Sequence, residues 1–410
     1  MENPPAAQAM SPARTRLLRT LDVIVVFLRI GVTGFGGPAT LIAMTQDEVV
    51  QRRKWLTREH FVDIVGITNL IPGPNATEIA IMVGYLYAGW LGLLAAGGSV
   101  VLPAAIISSA LGWMYVEWGT LPAVAPLFLG IKPVVTTIVL AAVWRLSGTV
   151  TRDWRLVAIG LATALAALAY GNEIAALLLG GVLGAVWLHL SRTLPGIKGR
   201  AAAILVGLAA SGWLSAKTAL AAAALLVNQI RHVPLWDIGF FFLKIGSVLY
   251  GSGYVLIAFL EGGLVRDLGW LTSQQLLDAI AVGQFTPGPL LSTASFIGYL
   301  LGGVPGAAVA TAGVFGPSFV IVALLAPWLP RLRRARWAGL FLDAVGAASI
   351  GLMAAVGLRL GQQALTDIPA WLIALAAAWA GLRLKVNFTW LVLGGAIAGW
   401  LLWAVGVWQV

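Results

Sequence analysis

Arg29 and Lys244 each stand inside a strongly apolar stretch, at the same place in a motif that occurs twice: Phe27-Leu28-Arg29-Ile30-Gly31 and Phe242-Leu243-Lys244-Ile245-Gly246. A cation near the centre of a bilayer costs about 2.5–3.5 kcal/mol on insertion scales, and the repeat carries that cost at both places. The chemistry open to such a pair is to face an internal cavity and balance an anion. Two cations brought together would suit a dianion. The plainer alternative is snorkelling toward an interface, or pairing with Asp22 or Asp63.

A second anion device is made of backbone. Pro72-Gly73-Pro74 returns as Pro287-Gly288-Pro289. Proline is tolerated in the first turn of a helix, where its missing N–H is not needed, and glycine permits close backbone approach. A helix starting after Pro74, with Asn75 in its first turn, would aim unpaired N–H groups and a positive dipole end at the break. So would one starting after Pro289. Gly36-Gly37-Pro38 and Gly251-Ser252-Gly253 read as a third and fourth cradle of this kind. Asn69 and Gln284 stand three residues before Pro72 and Pro287, where their amides could donate to oxyanion oxygens or bond a neighbouring helix. The bland reading of each break is a helix kink.

Three acids could carry a coupling proton. Glu78 ends Asn75-Ala76-Thr77-Glu78, which is also a capping-box pattern. The second half offers only Ser292 and Thr293 there, so a role for Glu78 is asymmetric. Asp63 and Asp278 match each other, six residues after Thr57 and Thr272, and an interhelical hydrogen bond is the competing role. The absence of cysteine removes thiol catalysis, disulfides and thiolate metal sites. The three histidines (His60, His189, His232) lack ligand spacing, and there is no His-Glu-x-x-His motif or Gly-x-Ser-x-Gly elbow. No enzyme, metal or cofactor is implied.

These residues sit in a chain that repeats itself. Positions 29 and 244, 55 and 270, and 72 and 287 are all 215 apart, whereas Gly92 and Pro103 match Gly306 and Pro317 at 214. The 410 residues are 60% hydrophobic and 10% charged, with a mean hydropathy of +0.91. Soluble domains carry roughly 25% charged residues, so an ordinary soluble fold is excluded. Near-spanning apolar runs recur without β alternation, for example 91–114, 156–170, 174–190 and 390–408. The fold class expected is an all-α polytopic membrane protein. The divisions expected are a cytoplasmic tail at 1–16 with no cleavable signal, repeats at 17–190 and 236–410, and a linker at 191–235. The stretches 57–70 and 75–88, about 14 residues each, are too short at ~1.5 Å per residue to cross ~30 Å alone. They read as re-entrant or broken helices, which in transporters line the substrate site.

The basic loops invert between the halves. Arg52, Arg53, Lys54 and Arg58 correspond to Arg266 against Asp267, and Glu117 corresponds to Arg331, Arg333, Arg334 and Arg336. Arg145, Arg152 and Arg155 correspond to Arg359 against Asp367, and Glu173, with no cation near it in sequence, corresponds to Arg383 and Lys385. If basic loops stay in the cytoplasm, the halves form an inverted-topology repeat with a cytoplasmic N-terminus, and the linker crosses an odd number of times. The net charge of +10 is then an orientation signal and not a nucleic-acid surface. The 18 tryptophans read mainly as interfacial anchors.

Gly34-Phe35-Gly36-Gly37-Pro38, Arg52-Arg53-Lys54-Trp55-Leu56, Asn69-Leu70-Ile71-Pro72-Gly73-Pro74-Asn75-Ala76-Thr77-Glu78 and Gln284-Phe285-Thr286-Pro287-Gly288-Pro289, in this order, resemble the chromate ion transporter family in its two-domain form. The resemblance covers nearly the whole chain. It implies export of chromate from a prokaryotic cytoplasm across the inner membrane, with sulfate as a related dianion. Many relatives have histidine where this chain has Leu41, and some have one near Met82, so a histidine proton relay is not carried over. The residues alone reach an inverted-repeat transporter of a small anion; chromate comes from the resemblance. Sulfate transport or an uncoupled anion channel are the alternatives. The partners expected are a small inorganic oxyanion and the lipid bilayer, with a homodimer left open and no nucleic acid.

Overall fold

The computed structural model describes residues 12–35, 37–69, 71–119, 124–151, 153–193, 233–250, 253–325, 336–384 and 386–408. Gly36, Gly251, Ser252, most of the linker and most of the Arg331–Arg336 loop lie outside the described residues.

The first half runs α1 (Pro12–Thr33), α2 (Pro38–Gln46) continued by a π-helical turn (Asp47–Arg52), α3 (Arg58–Thr68), α4 (Asn75–Trp118), α5 (Ala125–Val150), α6 (Trp154–Tyr170) and α7 (Glu173–Thr193). The second runs α8 (Leu235–Val248), α9 (Val255–Leu260) continued by another π-helical turn (Glu261–Asp267) and α10 (Ser273–Phe285). After a 3₁₀ turn (Leu290–Ser292) come α11 (Thr293–Leu325), α12 (Arg336–Ala364), α13 (Ile368–Leu382) and α14 (Phe388–Ala404). The α-helices of the halves match one for one, as do the π turns, a form of helix that is rare and concentrates at functional sites; the 3₁₀ turn has a counterpart only in the first turn of α4. Five described helices are long and apolar enough to cross a membrane. The protein is an all-α polytopic membrane protein.

The short elements flank the breaks. Thr57 caps α3 by accepting from the His60 N–H, and Thr272 with Gln275 closes a capping box on α10. At 11 and 13 residues, α3 and α10 reach only ~17–20 Å, short of a bilayer core. Beyond the first break α4 reverses at Gly89, whose φ of 69° and ψ of −150° leave the helical region. Its two arms run back along each other so closely that a Cβ on Gly84 or Gly92 would strike the other's backbone carbonyl. Gly303 and the pair Gly298 and Gly306 repeat the arrangement in α11, and Ser295 and Thr311 share a 2.7 Å hydrogen bond across it.

Packing crosses between the halves. α1 lies on α4 and α8 on α11, while α4 and α11 pack together at the centre. A Cβ on Gly31 would come within 2.7 Å of the Ser99 carbonyl oxygen, the close backbone approach typical of small residues at membrane helix contacts. In the outer bundle α6 and α7 pack on α12, and α13 and α14 pack on α5. Each half therefore lends its last two helices to the other half.

Candidate functional site

The two Pro-Gly-Pro breaks are held by reciprocal hydrogen bonds between the halves. The Gly73 N–H donates to the Leu249 carbonyl at 2.6 Å, and the Gly288 N–H donates to the Gly34 carbonyl at 3.0 Å. Gly34 and Leu249 are themselves 215 apart, so each break docks on the end of the other half's first helix. Both glycines need positive φ, 141° at Gly73 and 103° at Gly288, which L side chains rarely adopt.

Between these contacts lies a cavity of about 80 Å³. The starts of α2 (Pro38, Leu41, Ile42) and α4 (Pro74, Asn75, Ala76) line it from the first half. Gly253 before α9, and Pro289, Leu290 and Leu291 at the second break, line it from the second. Four chain segments that begin helices thus meet at one space, and first-turn N–H groups have no intrahelical acceptor. Thr77, in the first turn of α4, and its repeat partner Ser292, in the 3₁₀ turn before α11, are fully buried, and their hydroxyls lack a hydrogen-bond partner. Leu41 is one of the lining residues.

The other expected residues distribute around this centre. Asn75 donates to the Asn69 side-chain oxygen at 2.5 Å, so the two first-half amides form one unit. Gln284, buried, lies beside the Tyr254 hydroxyl, and that hydroxyl sits 3.8 Å from where a Cβ on Gly37 would be. Arg29 and Lys244 do not line the cavity. Arg29 is 64% exposed and paired with Glu48 at 3.3 Å, in place of the Asp22 or Asp63 read from sequence; Asp22 faces Arg53 at 3.8 Å. Lys244 is exposed as well. A helix buries only part of its circumference, and both cations fall on the outer side of α1 and α8. Asp63 stands with Arg58, Glu59 and Val62 at a surface pocket. Asp278 is buried elsewhere, accepting from the Tyr115 hydroxyl at 2.7 Å and from Gln274 at 3.4 Å, with Lys132 in electrostatic reach.

Glu78 is not part of a capping box. The N-cap of α4 is Pro74, which has no side chain able to cap, so Glu78 falls one position too late to reach back to an N-cap N–H. Its side chain is fully buried behind the first break, where Ser318 of α11 donates to Oε1 at 3.2 Å and Oε2 has no partner.

A charged cluster escaped the sequence reading. Glu173, isolated in sequence, is ion-paired with both Arg266 and Arg359. Glu261, at the start of the second π turn, lies 3.3 Å from Arg266 and 3.5 Å from Arg359. Arg359 also donates to the Ala167 and Leu168 carbonyls at 3.1 Å, closing the end of α6. The one sequence signal was Glu261 itself, an acid following the apolar run of α9. Among the described residues no group of three or more metal-ligating side chains occurs.

The chromate transporter family model matches residues 21–185 and again 236–400. A chromate transport protein of Cupriavidus metallidurans is 33% identical over 397 residues, covering 96% of this chain and 95% of that protein. A probable chromate transport protein of Synechococcus elongatus is 32% identical over 388 residues, covering 92% and 94%. A chromate transport protein of Pseudomonas aeruginosa is 31% identical over 384 residues, covering 92% and 90%. No solved structure matches the chain. With both repeats matched and relatives above 30% identity aligned along nearly their whole length, this chain belongs to the chromate transporter family.

Proposed function

We propose that the protein is a secondary active transporter that exports a small oxyanion, chromate, across a prokaryotic inner membrane, and so confers chromate resistance. The observation that carries this reading is the convergence of four helix starts on one cavity between the halves. Each full helix start presents the equivalent of roughly +0.5 charge together with free N–H donors, so several of them offset much of a dianion's charge without a titratable base. Gly37, Gly73, Asn75 and Gly288 form the described part of the cradle, with Asn69 and Gln284 as amide donors; Gly36, Gly251 and Ser252, expected there from sequence, lie outside the described residues. Arg29 and Lys244 act on the anion through long-range charge, as their exposed positions suit. Export also runs with an inside-negative potential, which favours outward movement of a dianion by roughly 4.6 kcal/mol per 100 mV. The names of the relatives support chromate as the anion; sulfate is the competing dianion.

Proteoliposomes loaded with labelled chromate or sulfate, with potential and pH imposed separately, test this. Accumulation against the anion's own electrochemical gradient when a second ion gradient is imposed is the expected result. Movement only down that gradient would make the protein a channel, and no movement of either anion would refute the reading.

The halves are inverted in this proposal, with the N-terminus in the cytoplasm. Arg52 and Asp267 are repeat partners 215 apart and both are exposed, so they must emerge on opposite sides. The native chain has no cysteine. An impermeant thiol reagent added outside is expected to label Asp267→Cys and Glu117→Cys but not Arg52→Cys. Equal labelling at 52 and 267 would refute the inversion.

A further inference from the structure

We infer that Glu78 is a proton-binding site linked to the anion: binding of the anion at the breaks draws a proton onto this carboxylate. The inference rests on the anion reading above and adds the ligand and the residue that couple to it. Glu78 is fully buried, its Oε1 is met only by the Ser318 hydroxyl, and its Oε2 has no partner. A buried carboxylate without a cation is expensive as an anion and inexpensive as an acid, whose O–H would supply the missing donor. Both Glu78 Oε1 and Ser318 Oγ occupy the space a Cβ on Gly73 would need, so the carboxyl group touches the break itself. The next residue along, Pro74, lines the cavity.

Among the described residues, the surrounding elements offer no cation in its place. α11 carries no charged residue, and Ser318 is its contribution. Tyr250 follows Leu249, whose carbonyl accepts from the Gly73 N–H. On α1, Arg29 pairs with Glu48, and Asp22 lies near Arg53 on the exposed side. On α3, Arg58, Glu59 and Asp63 face the surface pocket, and His60 is exposed.

The two halves differ here in a way that sets the stoichiometry. The repeat partner of Glu78 is Thr293, and that of Ser318 is Ala104. Thr293 turns its hydroxyl to the Leu290 carbonyl at 2.8 Å, and Ala104 lies against Gly288. Among the described residues, a carboxylate backs the first break and none backs the second. A dianion in the cavity and a negative Glu78 repel each other, so proton and anion favour one another's binding by the same factor. One proton per anion follows, and affinity must fall as pH rises through the range where the anion-free protein has lost that proton.

The test is calorimetric titration of sulfate and chromate into the purified full-length protein across neutral to alkaline pH, in buffers of differing ionisation enthalpy. For wild type, about one proton taken up per anion is expected, with affinity falling about tenfold per pH unit in the linked range. Glu78→Gln mimics the protonated group, so it should bind with a flat pH profile. The difference between the two proteins removes the protonation of chromate itself. Ser318→Ala keeps the carboxyl group and should retain proton uptake, which covers the case in which Glu78→Gln does not fold. Zero proton uptake in wild type, or an unchanged pH slope in Glu78→Gln, overturns the inference while leaving the anion site standing. Absence of binding by wild type at every pH overturns both.

Discussion

Gly73→Val is expected to reduce anion flux by about 100-fold or more, the scale of loss when reacting or binding groups are displaced by about an ångström. The cause is local and has two parts. At φ 141° a β-branched residue is strained wherever its side chain points, at a cost of order 1–3 kcal/mol. Its Cβ would also overlap Ser318 Oγ and Glu78 Oε1, and relief by moving the break would lengthen the Gly73 to Leu249 hydrogen bond. Gly288→Val shares the φ problem at 103°. There, however, the nearest obstacle is the Ala104 methyl at 2.9 Å, with no buried polar pair. Alanine should therefore be better tolerated at 288 than at 73. Flux in proteoliposomes, normalised to protein that elutes as a folded species, measures both effects. Valine variants that transport at the wild-type rate would mean the breaks are kinks remote from the substrate.

The largest stability effect is expected at the cluster of Glu173, Glu261, Arg266 and Arg359. The carboxylates are 4% and 2% exposed, and the guanidiniums balance them two against two. Removing one partner of a buried set leaves an uncompensated charge, typically at 3–5 kcal/mol. Arg359→Leu should fall in that range, because it strands both acids on Arg266 alone and frees the α6 carbonyls. Arg266→Leu should cost less, since Arg266 is the more exposed of the two, at 27% against 18%. Unfolding in detergent, followed by heat or denaturant, reads the loss. A shift below ~1 kcal/mol for Arg359→Leu would place the cluster with solvent-screened surface pairs. A double substitution of Glu173 and Arg359 should be less destabilising than the sum of the singles, as coupled charges require.

Much of the fold was legible in the sequence because its signals are local or periodic. Apolar run lengths gave membrane helices, since lipid forces each span to satisfy its own backbone. The 215-residue offset foretold two matching halves, and proline and glycine marked the helix starts through fixed φ and left-handed freedom. The breaks at Pro72-Gly73-Pro74 and Pro287-Gly288-Pro289 were readable for the same reason, whereas Gly36, Gly251 and Ser252 fall outside the described residues.

Tertiary structure decided which side of each helix meets which neighbour. Arg29 and Lys244 looked internal because their helices are apolar, but an apolar helix in lipid gives little sign of its buried face, and packing turned both outward. Glu78 fitted a capping box because the pattern does not say where a helix begins; the helix started one residue away and left the carboxylate buried behind a break. Asp63 and Asp278 are equivalent in sequence, yet one stands at a surface pocket and the other under Tyr115, because the halves pack unlike surroundings around like positions. Glu173 found its cations 93 and 186 residues away. Sequence fixes what a residue can bond; only the fold, by bringing distant segments together, determines what it does bond.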